Sequence, residues 1–579
     1  MVDNSSRLSF LTGSGEVDRD ALFDRLMNHV GLNGKYQSRF NFVFNFVFVI
    51  FLAMPYLNLV LALTTPEHWC HVPGRNETNF TEEEWKSLTI PRVTDESGKE
   101  SYSKCQMYNV STQLNTTASL QSMNNNSTRL QIVGCQNGWV YDHTWYTRTV
   151  VTQENWVCDK ELYVTNTFVF SRAGDVIGTF VFGQLGDAIG RRPVFFVTLF
   201  LLAVGRCLTV FTASNYPLFL TVTVFGSVSQ SAAFQSPLVL GTEMSSADKR
   251  AHIAMLQCLG WTLGVCLMPL VAWATRDWVA FLIITSAPCG VFLFAYKWFP
   301  ESARWLAARG ETTRCARELR NIAKTNGSSL PNDTMLTLRK IAAKKERIYG
   351  LASLFSNWRL AKNTTLIVYL WVVNSMTYYT LMLNVSSMDG NPFMNFFWQS
   401  LVELPGYVVG KYFSDRYGRR WTQGALFLFL VLSVVVVICI VGRPDLVWLT
   451  TAMVAFVKFC FTITYYVVHL VAVETYPTCV RQTGTSLGAV MGSSMGILGP
   501  YIVFLGSTYD VRYPYIIIGI VSATGMAAAL FLPETLHQRL PETLADAHNF
   551  GHDQKFWSLP QKPVCTETEM SEVPLKSLA

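Results

Sequence analysis

The sequence predicts an all-α membrane protein with twelve transmembrane helices in two six-helix halves. Three observations lead there. Apolar stretches of about twenty residues, the length that crosses a hydrocarbon core, recur along the 579-residue chain. Lys and Arg collect in alternate gaps between these stretches. Three short motifs occur twice, in the same order and at nearly constant offset. Composition alone decides less, because 50% hydrophobic residues is close to the level of soluble domains. The 15% charged fraction and a mean hydropathy of +0.24 lean towards a membrane. The net charge of +6 comes from basic residues beside apolar spans, which argues against a nucleic-acid-binding face.

Spans 1 to 6 are expected at 42–64, 162–184, 193–213, 216–240, 252–274 and 278–299. Spans 7 to 12 are expected at 364–384, 393–413, 421–442, 446–470, 484–506 and 514–533. Backbone groups in lipid must bond internally, so these spans are helices; a β-barrel would show short alternating segments instead. The organisation is therefore an N-terminal segment 1–41, a first half 42–299 with a long polar loop 65–160, and a linking segment 300–362. A second half 363–533 and a tail 534–579 complete it. Residues 1–35 are polar and mixed in charge, unlike a signal peptide, so span 1 serves as its own insertion signal.

Orientation follows from the basic residues. Arg7, Arg19, Arg25, Lys35 and Arg39 precede span 1, and Arg191 and Arg192 follow span 2. Lys249 and Arg250 follow span 4, Arg416, Arg419 and Arg420 follow span 8, and segment 300–362 is rich in both types. The opposite short loops hold only Arg276, Arg443 and Arg512. Both termini are placed in the cytosol, and loop 65–160 outside. Asn76, Asn79, Asn109, Asn115, Asn125 and Asn126 each begin a glycosylation triplet in that loop, as an extracellular segment requires. Asn326 and Asn332 match as well but fall on the cytosolic side, where they are inert. Cys70, Cys105, Cys135 and Cys158 share the loop and form one or two disulfides in an oxidising compartment; all three pairings are open. A lone cysteine inside a span, such as Cys266, reads as a small core hydrophobe.

Asp187-Ala-Ile-Gly-Arg-Arg192 follows span 2, and Asp415-Arg-Tyr-Gly-Arg-Arg420 follows span 8. Glu243 and Arg250 flank the loop after span 4, as Glu474 and Arg481 flank the loop after span 10. Pro300-Glu301 ends span 6 and Pro533-Glu534 ends span 12. The offsets are 228, 231 and 233 residues, which marks a duplicated six-helix unit. An even number of helices makes the halves parallel, the major facilitator pattern, with a substrate site between the halves near the midplane. The gating residues are then Asp187, Arg191, Arg192, Glu243, Arg250, Asp415, Arg419, Arg420, Glu474 and Arg481. Ion pairs among them across the bundle would latch the outward-open state.

These features resemble the organic ion transporter family, the organic cation, carnitine and organic anion carriers of the major facilitator superfamily. Lys35-Tyr-Gln37, Pro66-Glu-His-Trp-Cys70, the large cysteine-bearing first loop, Pro300-Glu-Ser-Ala-Arg-Trp305 and Glu474-Thr-Tyr-Pro-Thr478 carry the resemblance. Thr475 stands where the family usually has Leu, and four loop cysteines are fewer than many relatives carry. Sugar porters share the Gly-Arg-Arg and Pro-Glu-Ser signatures without so large a first loop.

Substrate charge is read from ionisable and aromatic residues inside spans. A charge at the bilayer centre costs about 2.5–3.5 kcal/mol on insertion scales, which makes it a functional candidate. Glu403 in span 8 is the clearest, and the resemblance extends to the cation and carnitine branches there; the bland reading is a structural Glu bonded to a neighbouring helix. Arg172 and Asp175, three apart on one helix face, read as an internal neutral pair. Lys458 in span 10 reads as architectural. Tyr407 stands where anion carriers of the family tend to be basic, and Ser493 where cation carriers often have Asp and anion or carnitine carriers often have Arg; losing both fixed charges argues against a dedicated anion carrier and also against a simple polyspecific cation carrier. Trp371 and Tyr378 are seven apart in span 7 and share a face; Phe393 and Tyr466 match family positions near the site. The expected substrate-binding set is Glu403, Trp371, Tyr378, Phe393, Tyr466 and Ser493. The sequence holds no ATP-binding, zinc-binding or nucleophile motif. The expectation is a plasma-membrane carrier, not an enzyme, with no cofactor or metal, for small organic cations or zwitterions. It would run on gradient, potential or a coupled sodium ion or proton. An anion carrier, a sugar porter and a non-transporting sensor are the alternatives, in that order.

Overall fold

The computed structural model describes residues 19–536 apart from 32–33, 76–79, 95–99, 110–130, 332, 344–350, 389 and 478–479, with scattered positions up to 554. Helices occupy all twelve expected spans. Ten of them are long and apolar enough to cross a membrane by length and composition. Spans 2 and 8 depart from that standard for different reasons. The span 2 helix, Leu162–Ile189, is 28 residues long, but Arg172, Asp175 and Asp187 lower its hydropathy. Span 8 breaks at Val402 into Pro392–Leu401 and Glu403–Tyr417. Pro405 has no N–H to give the Leu401 carbonyl, and its ring crowds that carbonyl.

The chain divides into two compact units, and the division falls inside spans 1, 2 and 5. Unit 1 comprises Met1–Leu59, Ile177–Met268 and Val279–Ile348. Its core starts from a stripe on span 1, where Phe40, Phe44 and Phe48 recur every fourth residue and so share one helix face. The Phe44 ring lies 5.0 Å from Phe299, which stacks on Phe195 at 4.2 Å. Below span 1, Arg19–Val30 packs with Ala303–Ala308, Thr312–Asn326 and Thr334–Ala343 around Phe23, Leu306, Leu319 and Ile341. Asn326 fastens this layer: it accepts from the Tyr36 backbone N at 3.0 Å and donates to the Gly31 carbonyl at 3.0 Å and to Gln37 Oε1 at 3.1 Å. Asn326, which opens a glycosylation triplet expected to be inert, is thus a packing residue. Burial and neighbouring Glu318 push the Cys315 thiol in this layer up to about 12.

Unit 2 comprises Val60–Val176, Pro269–Trp278 and Tyr349–Ala579. It contains the long loop, where the all-α expectation meets its one exception among the described residues. Three short antiparallel ladders pair His68–Cys70 with Trp139–Tyr141, Arg92–Thr94 with Glu100–Tyr102, and Gln106–Tyr108 with Ile132–Gly134. Two disulfides settle the open pairing as Cys70–Cys135 and Cys105–Cys158. A lobe this small has little core, here Val72, Trp85, Ile90 and Met107, and covalent staples supply the missing stability. Asn109 lies half-buried at the end of a ladder strand; Asn76, Asn79, Asn115, Asn125 and Asn126 lie outside the described residues. On the spans, Phe211, Phe294, Trp298 and Trp448 project outward, where the expected solvent is hydrocarbon.

Candidate functional site

The duplicated motifs build the same network twice. In unit 1 the span 2 helix ends at Ile189, Gly190 turns the chain at φ +104°, and the next helix opens at Arg191. A helix N-terminus offers unpaired N–H groups and partial positive charge. Glu301 answers both. Its Oε1 accepts from the backbone N of Arg191 at 2.9 Å and of Ser302 at 3.0 Å, and Oε2 from that of Arg192 at 3.3 Å. The Arg191 guanidinium reaches Asp187 at 3.0 Å and Glu243 at 3.3 Å.

In unit 2, Gly418 turns at φ +93° and Arg419 opens the span 9 helix. Glu534 Oε1 accepts from the backbone N of Arg419 at 2.8 Å and of Thr535 at 3.0 Å, and Oε2 from that of Arg420 at 3.1 Å. The Arg419 guanidinium reaches Asp415 at 3.4 Å and Glu474 at 3.0 Å. A Cβ on Gly190 or Gly418 would collide with the Glu301 or Glu534 carboxylate. Sequence reasoning used Glu301 and Glu534 only as repeat markers; their place in both motifs was the signal that they bind something. Arg192 and Arg420 enter these networks through their backbone N–H groups, with their guanidinium groups over Tyr296 and Trp421. Arg481 Nε donates to the Tyr476 carbonyl at 3.2 Å, and the Arg250 side chain lies outside the described residues.

A column of side chains from spans 7, 8 and 10 forms the second constellation, entirely in unit 2. Lys458 is fully buried. Its Nζ lies 3.1 Å from Glu403 Oε1 and 3.8 Å from the Tyr378 ring centroid. Glu403 is therefore bonded to a neighbouring helix, and Lys458 neutralises it. Either charge alone would carry a large desolvation cost; together they offset much of it. Along span 10 towards Glu474, Phe461 lies 5.8 Å from Tyr378 and 6.0 Å from Tyr465. Tyr465 lies 6.0 Å from Trp371 and 4.5 Å from His469, and the last two rings are 4.1 Å apart.

Glu403 and Tyr378 thus both meet Lys458, and Trp371 joins the same column through Tyr465 and His469. Phe393 is fully buried with its ring 4.9 Å from Tyr146. Tyr466 is half-buried beside Gly410, and Ser493 is half-buried on span 11. Sequence reasoning missed Tyr465 and His469. Their signal was spacing: Lys458, Phe461, Tyr465 and His469 follow steps of three, four and four, one helix face. The Arg172–Asp175 pair forms at 3.5 Å, and the Arg172 guanidinium lies 3.9 Å over the Tyr379 ring. In the outer lobe, ligand atoms of His68, Cys105 and Cys158 lie within 4.8 Å of one another, but the two sulfurs are bonded to each other.

The duplicated network and the helical spans define a secondary transporter of the major facilitator superfamily. Residues 107–546 match the family described as sugar (and other) transporter. The fold is similar to an inward-open conformation of the xylose transporter XylE from E. coli, with a TM-score of 0.54, 15% identity, and coverage of 70% of this chain and 92% of that one. The chain belongs to the organic ion transporter family of that superfamily, the organic cation and carnitine carriers. It is 30% identical to organic cation transporter 1 of Caenorhabditis elegans over 91% of this chain and 89% of the relative. It is 31% identical to organic cation/carnitine transporter 2 of Homo sapiens over 84% and 87%, and 30% identical to the carcinine transporter of Drosophila melanogaster over 93% and 81%. It is a multi-pass membrane transporter and not an enzyme.

Proposed function

We propose that this transporter moves small organic cations, or zwitterions bearing an amine or quaternary ammonium, across the plasma membrane by alternating access. The observation that carries the reading is the Lys458 ammonium, held by a carboxylate at 3.1 Å and a ring face at 3.8 Å. The column already solvates one ammonium without water. Ring faces attract such a group by about 2 kcal/mol when it is desolvated, and Trp371 and Tyr465 supply further faces for a second, mobile one. The Glu403–Lys458 pair has no net charge, so a zwitterion meets no fixed repulsion there. Names of the relatives agree: organic cation, cation/carnitine and carcinine transporters. Substrate contacts are assigned to Trp371, Tyr378 and Tyr465, with Glu403 holding the charge balance at the base of the column. Phe393, Tyr466 and Ser493 remain in the proposed binding set.

The two cytosolic networks are assigned to gating, each holding the end of span 2, the start of span 3 and the end of span 4, or their counterparts, as one rigid piece. Uptake in oocytes of labelled carnitine, choline, β-alanine, biogenic amines, urate and glucose tests the substrate class. Saturable uptake of an amine-bearing compound, with none of urate or glucose, is expected. Uptake of urate alone would overturn it in favour of an anion carrier.

A further inference from the structure

His469 has no part in the reading so far beyond its ring. It lies on span 10, half-buried, four residues after Tyr465. Its Nδ1 sits 2.9 Å from the Tyr465 carbonyl oxygen. A carbonyl can only accept, so Nδ1 carries the hydrogen, and the neutral imidazole then presents Nε2 as an acceptor. Rotation that would exchange the two nitrogens is opposed by the neighbouring rings of Trp371 at 4.1 Å and Tyr465 at 4.5 Å. Among the described residues Nε2 has no hydrogen-bond partner. Beside Trp371 the column therefore combines ring faces, which any ammonium can use, with an acceptor held in a fixed place, which only an ammonium bearing N–H can use.

We propose that His469 is a specificity-determining residue that favours primary and secondary ammonium substrates over quaternary ones, a refinement that rests on the cation reading above. A quaternary nitrogen presents only methyl groups to the imidazole and is held by the rings. A protonated amine places its charge against the same rings and donates an N–H to Nε2. Methylating the nitrogen also leaves the Nε2 acceptor covered by carbon and cut off from water, which is costly in its own right.

The test uses the full chain in oocytes, with surface amount measured by biotinylation. The probes are labelled tyramine and its N,N,N-trimethyl derivative, which share one aromatic body. The wild type is expected to favour tyramine by about tenfold in kcat/KM, the ratio that one hydrogen bond to a charged group gives. His469→Phe keeps a ring beside Trp371 and Tyr465 and removes the acceptor, so tyramine uptake falls more than that of the trimethyl probe and the ratio approaches one. His469→Gln, which restores an acceptor oxygen, recovers part of the preference. An unchanged ratio in His469→Phe, or equal loss of both probes at normal surface level, overturns the inference while the cation reading stands. No uptake of either probe by the wild type, with urate carried instead, overturns both.

Discussion

At the residue scale the Glu403–Lys458 pair shows the limit of reading side chains one at a time. Each was visible as an ionisable residue in an apolar span, yet they are 55 positions apart, and nothing local says that they touch. The pairing changes what a mutation does. Glu403→Gln leaves a fully buried ammonium without its counter-charge, a loss of about 3–5 kcal/mol. Its main effect is expected on folding: less protein at the surface and a lower Tm in detergent. Glu403→Leu with Lys458→Met, which removes both charges, recovers most of that loss. Normal surface amounts for the single mutant would show that the pair contributes nothing. His68 carries a pH prediction. Burial, with Lys104 nearby, holds its imidazole below the ordinary histidine range, against the raising effect of its Pro66 hydrogen bond. A proton therefore binds the unfolded lobe better than the folded one. The stability His68 contributes is full above the unfolded pKa and is lost as pH falls through the folded one. The outer lobe should become more sensitive to protease between about pH 7 and about pH 5, and His68→Phe should flatten that trend.

At the scale of elements, the two motif networks are one design repeated. A glycine with positive φ turns the chain, a helix opens on an arginine, and a distant glutamate caps it. Gly418→Ala strains the backbone and drives a Cβ into the Glu534 carboxylate, so it should destabilise by more than about 1 kcal/mol, read as a drop in detergent Tm. Gly190→Ala should do the same through Glu301. Arg419→Ala frees Asp415 and Glu474 together. If the network governs which state is populated, turnover should fall several-fold with little change in substrate affinity. Normal turnover at normal surface level would remove the gating role. Spans were legible because twenty apolar residues in a row have few other uses. The break in span 8 was also written in the sequence, at Pro405, and was passed over because hydropathy averages across it.

For the whole molecule, the lobe gives the plainest check on orientation. Peptide N-glycosidase should lower the apparent mass of protein taken from animal cells by several sugar chains, and an unchanged mass would place the lobe on the other side. The sequence by itself determined the class: apolar length set the spans and repeated motifs set the duplication, while Lys and Arg carry the expected direction. Each of these is a local or periodic property, and the bilayer enforces it residue by residue. Only the tertiary structure decided which cysteines pair, that Arg191 and Arg419 take Glu243 and Glu474, that Glu301 and Glu534 cap helices more than a hundred residues away, and that Lys458 occupies Glu403. Those are contacts between distant segments, and one chain's sequence specifies them only through the packing of the whole. His469 lies between the two cases: its helix face was readable from spacing, but the carbonyl that fixes its tautomer and the indole that holds its ring are properties of the folded column.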